Sequence, residues 1–144
     1  MDIVTKNERL FFKLLPVVAP IILVVIFGVL SYFWYVSKSA LTPFETILTN
    51  NKSTVILCGN ITLEKTPVQI AFKNLEYTKI SGTHPIDFYK LSVESGVNKS
   101  EVSLGQDSND KSMFWLYSKT SKIKGFTLGY IKSEYLKDNV GQCS

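Results

Sequence analysis

Leu14 to Val36, LLPVVAPIILVVIFGVLSYFWYV, is a run of 23 residues without a charge in a chain of 144. No other feature limits the fold as severely. At about 1.5 Å rise per residue, a helix of this length matches the roughly 30 Å hydrocarbon core of a bilayer. A domain of the remaining size cannot enclose such a helix on all sides. The sequence therefore predicts a single-pass membrane protein: one N-terminal transmembrane helix, then a small β-rich extracytoplasmic domain.

The ends of the run support a retained anchor. Phe11 and Phe12 precede it, and Tyr32, Phe33, Trp34 and Tyr35 cluster at its other end, as in the aromatic belts of spanning helices. Lys13 and Lys38 bracket the run, with stems long enough to reach the headgroups. A cleaved signal peptide is the rival, but its apolar region is typically about 7–15 residues and ends on small residues. Here the nearest candidate sites are Val29-Leu30-Ser31, inside the run, and Lys38-Ser39-Ala40, which carries a lysine. Pro16 and Pro20 each remove a backbone donor and are candidate kinks for packing against a partner helix.

Lys6, Arg9 and Lys13 precede the run, while only Lys38 and Lys52 follow it closely. Because lysine and arginine stay on the cytoplasmic side, the expected topology leaves the N-terminus in the cytoplasm and the C-terminal domain outside. The expected organisation is a cytoplasmic head over 1–13, the span over 14–36, a juxtamembrane segment over 37–52 and the outer domain over 53–144. The lysine- and asparagine-rich composition suits an AT-rich genome. That bias fits bacteria, phages and large DNA viruses alike; the expected location is a bacterial inner membrane facing the periplasm, with a viral envelope or cell surface as alternatives.

Cys58 and Cys143 are the two cysteines, both beyond the run and both on the oxidising side under this topology. They are expected to form a disulfide, which would staple a domain too small for a large core. The one histidine, His84, and the absence of CxxC spacing leave no metal motif. No cofactor motif is present either. Asn51, Asn60 and Asn98 each open an N-x-S/T sequon, and these would be glycosylation sites in a eukaryotic or viral setting.

Beyond the run, Thr42, Pro43 and Glu45 carry the capping signals of a short helix over about 43–49. The periodicity then becomes two. Strands are expected at 54–58, continuing through Ile61 and Leu63, then at 67–72, 75–80, 86–93, 102–104, 113–117 and 123–131. Ser95 to Asn98 reads as a turn, 105–111 as a polar loop, and 133–139 as a terminal helix. Many short strands predict a sandwich or barrel, with a one-sheet α+β domain as the alternative.

No constellation for catalysis stands out, and the protein is expected not to be an enzyme. His84 lies in a loop before Pro85, and no nucleophile motif surrounds any serine. Asp107-Ser108-Asn109-Asp110 holds two carboxylates but lacks the central glycine and distal glutamate of a calcium loop. The C-terminal third mixes lysine with aromatics. Trp115, Tyr130, Lys122 and Lys124 are the candidate partner contacts, and Phe114 beside Trp115 implies that one ring is exposed. Nucleic acid is not an expected partner on the outer side of a membrane. The expected partners are the bilayer and other membrane proteins, and any small-molecule ligand is unspecified. The function expected is that of a non-catalytic accessory or assembly subunit docking on a larger membrane complex. The alternative is a surface or envelope protein that recognises a ligand, glycan or partner.

Overall fold

A computed structural model describes residues 2–77, 84–118 and 127–143, with the side chains described from residue 15 onward. The chain divides into two compact units, Met1–Val36 and Ser37–Ser144.

The first unit is helical and belongs to α1, which runs Asp2–Thr49 and continues into the second unit. α1 passes through Pro16 and Pro20 without a break. Every side chain from 15 to 35 is exposed. By length and composition, Leu15–Thr49 is long and apolar enough to cross a membrane, and none of its most apolar window is buried.

The second unit is built on one six-stranded antiparallel sheet. Its strands are β1 (Thr54–Leu57), β2 (Ile61–Leu63), β3 (Pro85–Ser95), β4 (Asn98–Asp107), β5 (Met113–Ser118) and β6 (Thr127–Lys132). The spatial order is β2-β1-β3-β4-β5-β6. Two helices join it, α2 (Lys65–Lys73) and α3 (Glu134–Val140). The α+β alternative is thus the architecture found, and the sandwich or barrel is not.

Two segments explain that outcome. Residues 67–72 alternate in the manner of a strand but form most of α2. Pro67 falls in the first turn of α2, where its missing donor costs no helical bond. Val68, Ala71 and Phe72 are buried at helical spacing, while Ile70 is 56% exposed. Of the expected strand over 75–80, the described residues 75–77 make one bridge, Glu76 with Tyr130, and residues 78–83 lie outside the described residues. Among the described residues there is one sheet, and apolar residues of α1, α2 and α3 complete its core.

The expected separate helix at 43–49 is the end of α1. Thr42 does not cap it; its hydroxyl donates back to the Lys38 carbonyl at 2.8 Å. Leu41, Phe44 and Leu48, one turn or two apart, are buried in the core, which offsets the poor helical fit of Pro43. Phe44 stacks on Phe72 with ring centroids 4.8 Å apart. The same core takes Val55 and Leu57 from β1, Leu91 and Val93 from β3, Val102 and Leu104 from β4, and Phe114 and Leu116 from β5.

α3 begins on Ser133, whose hydroxyl accepts the Leu136 amide, and buries Leu136 and Val140. Cys143, just beyond it, is bonded to Cys58 in the β1–β2 turn, with Cα atoms 5.9 Å apart. The expected disulfide therefore ties α3 to the opening strands. Between β3 and β4 a two-residue connection, Gly96-Val97, fixes the register Ser95↔Asn98. Gly96 supplies the positive φ of 60° that a tight hairpin needs at its first central position.

Candidate functional site

An antiparallel sheet packed on one side presents the alternate residues of each strand on its other side. One cross-strand row there reads Phe88↔Gly105↔Trp115↔Tyr130, from β3 to β6. Gly105 leaves the space that Pro85 and two rings fill: a Cβ at this position would lie 2.7 Å from the Pro85 side chain, 3.0 Å from Tyr117 and 3.1 Å from Phe88. Phe88 and Tyr117 pack with centroids 5.6 Å apart, and Trp115 and Tyr130 with centroids 5.7 Å apart.

This aromatic row is fixed from two sides. Asp107, fully buried, accepts the Trp115 indole N–H at 2.9 Å through one carboxylate oxygen. Its other oxygen accepts the backbone N–H groups of Asn109 at 2.9 Å and Asp110 at 3.0 Å. The Tyr130 hydroxyl donates to the Glu76 carboxylate. That bond, with burial and the charge of Glu76, holds the Tyr130 hydroxyl above the usual phenolic range.

Toward the Gly96-Val97 hairpin the same face is charged. Lys90 pairs with Glu101 at 2.6 Å, and Lys99 with Glu94 at 2.5 Å and with Glu101 at 3.7 Å. On the loop after β4, Asp110 accepts from the Ser112 hydroxyl and amide and pairs with Lys132 at 3.1 Å. Lysines and carboxylates on this face thus serve one another as cross-strand pairs. The face has an aromatic end and a zwitterionic end.

No protein family, curated protein or solved structure matches the chain.

Trp115 and Tyr130 are brought together, but they are 3% and 5% exposed. The expectation that either Phe114 or Trp115 is exposed fails, because the core takes Phe114 and the Asp107 carboxylate takes Trp115. The open ring of this face is Phe88, at 59% exposure, with Ile86 nearby in sequence at 51%. Lys122 and Lys124 lie outside the described residues. Asn51, Asn60 and Asn98 are all exposed, in the turn after α1, the β1–β2 turn and the β3–β4 hairpin. His84 is exposed, and its carbonyl accepts the Ser108 amide at 3.1 Å. Among the described residues, no group of three His, Cys, Asp or Glu side chains could hold a metal ion.

Phe88, Gly105, Glu76 and the role of Asp107 carry no motif in the sequence. Gly105 to Asp107 read as a polar loop, whereas they close β4 and are buried. The hairpin contained the missing signal. With Ser95 opposite Asn98, counting outward sets Phe88 opposite Gly105, a large ring over the smallest residue.

Proposed function

We propose that this protein is a membrane-anchored accessory or assembly subunit. In this reading the N-terminus is cytoplasmic, residues 37–144 are outside, and the outer unit docks on a larger membrane complex. A single observation carries the proposal: in the uncharged stretch of α1, every side chain from Leu15 to Tyr35 is exposed. Twenty-odd apolar residues left in water would be a strong aggregation liability, and a bilayer removes it. The disulfide favours an oxidising compartment for the second unit. Phe88 and Ile86, beside the fixed Trp115–Tyr130 pair, supply the exposed apolar contact of a docking face. The ion pairs around them use their charged groups for one another, which suits contact better than chemistry.

Gentle detergent extraction from native membranes, native-gel sizing and mass spectrometry of co-migrating proteins test this reading. The expected result is stoichiometric co-migration with other membrane proteins, reduced by Phe88→Ala while the disulfide and melting temperature are retained. Migration alone, as a monomer or a small homo-oligomer, overturns it.

A second reading, a surface or envelope binding protein, has one observation of its own: all three sequon asparagines are exposed. Expression in a eukaryotic secretory pathway, followed by glycosidase digestion, tests it. A mass shift at all three sites is expected if that reading holds. No shift removes its support.

A further inference from the structure

Within the 37–144 unit, the end of α1, α2 and the segment following α2 line a cavity of about 570 Å³. Leu48, Phe72 and Leu75 give it an apolar floor, and Glu45, Lys73 and Tyr77 stand among its polar lining. Its walls are held in place. The Phe72 ring stacks on Phe44, and the segment carrying Leu75 and Tyr77 is pinned to β6. There the Glu76 amide donates to the Tyr130 carbonyl at 3.0 Å and the Tyr130 amide to the Glu76 carbonyl at 2.9 Å.

Its polar groups carry opposite charges and leave capacity for a guest. Among the described residues, the side chains of Glu45, Lys73 and Tyr77 make no hydrogen bond or ion pair. Burial pushes the Glu45 carboxyl up from its ordinary range, countered in part by Lys38. Burial also raises the Tyr77 hydroxyl, and the charge of Glu45 adds to that shift. A cation placed at Glu45 would relieve both effects. The volume falls within the roughly 300–1,000 Å³ of small-ligand pockets.

We propose that this cavity binds a small zwitterion with an apolar body. Its ammonium sits at Glu45 and Tyr77, its acidic group at Lys73, and its body on Leu48, Phe72 and Leu75. A free apolar amino acid and the ethanolamine headgroup of a phospholipid share the zwitterionic chemistry. The inference goes beyond the accessory-subunit reading and stands whether or not α1 spans a bilayer.

Calorimetric titration of the full chain in non-ionic detergent tests it, with L-phenylalanine, L-leucine and a short-chain phosphatidylethanolamine as probes. At least one probe is expected to bind saturably, and Glu45→Gln and Lys73→Met each weaken it about tenfold or more. Tyr77→Phe, which removes only a hydroxyl, weakens it in the same direction. Ile70→Ala, on the exposed side of α2, leaves it unchanged. Near-ultraviolet circular dichroism and the intact disulfide establish that each variant is folded. Binding of an amino acid, but not of its N-acetyl form, identifies a free amino acid as the ligand class. Binding of the short-chain phosphatidylethanolamine alone identifies the phospholipid as the ligand class. Absence of saturation by all three probes overturns the proposal, as does equal affinity in the folded Glu45 and Lys73 variants.

Discussion

Among the described residues, the Asp107 side chain accepts hydrogen bonds from two backbone amides and from the Trp115 indole. Asp107→Asn retains an oxygen for the amides but turns an N–H donor toward the indole donor. The variant is expected to lose about 1–3 kcal/mol, the cost of a buried donor left without an acceptor. Thermal melting followed by near-ultraviolet circular dichroism checks this, and an unchanged melting temperature would contradict it. Asp110 gives a pH-dependent counterpart. The Ser112 hydroxyl first, then Lys132 and the Ser112 amide, hold its carboxyl below the ordinary value of 3.8. Its folded-state proton affinity is therefore lower than in the unfolded chain. The stability it contributes is present above 3.8 and is lost as the pH falls through the depressed value. Asp110→Asn should flatten that acid limb in melts compared between pH 7 and acid; an unchanged limb would show the group to be idle.

Strands that leave a tight turn are the elements that can be read from sequence. Val68, Ile70 and Phe72 match a period of two, whereas Val68, Ala71 and Phe72 match a helical face; the pattern alone does not choose. The core chose, by burying Ala71 and leaving Ile70 in solvent. β3 and α3 were legible because Gly96 and Ser133 mark their boundaries with specific backbone chemistry. The aromatic row was not, because it depends on pairing across four strands, which needs the register as well as the composition. The close approach of the segment after α2 to β6 was equally hidden. It rests on Gly129, with φ at 151° and a would-be Cβ 2.6 Å from the Glu76 carbonyl oxygen. Gly129→Ala is expected to cost about 1–3 kcal/mol through backbone strain and to release that segment. Faster hydrogen exchange at the Glu76 and Tyr130 amides is the readout, and native exchange at both would contradict the prediction.

Across the whole chain, one covalent tie and one apolar stretch set the terms. The Cys58–Cys143 disulfide spans 85 residues, and the chain-entropy model assigns about 4–5 kcal/mol to closing such a loop. Cys58→Ser with Cys143→Ser should lower stability on that scale in denaturant titration; a loss near zero would mean that the unfolded chain is already constrained. The apolar stretch was the most legible feature of the sequence because it needs no partner to be recognised. The packing of Phe88 on Tyr117 was not legible, since it depends on the register between strands. The central claim is that α1 is kept as a membrane anchor. Its most direct test is an alkaline carbonate wash of membranes from the native host, followed by intact mass and peptide mapping of the pellet. The expected result is the protein in the pellet, with peptides from Leu14 to Val36 still attached to the disulfide-bonded unit. Recovery in the soluble fraction, or a mature chain that begins after this stretch, would contradict it.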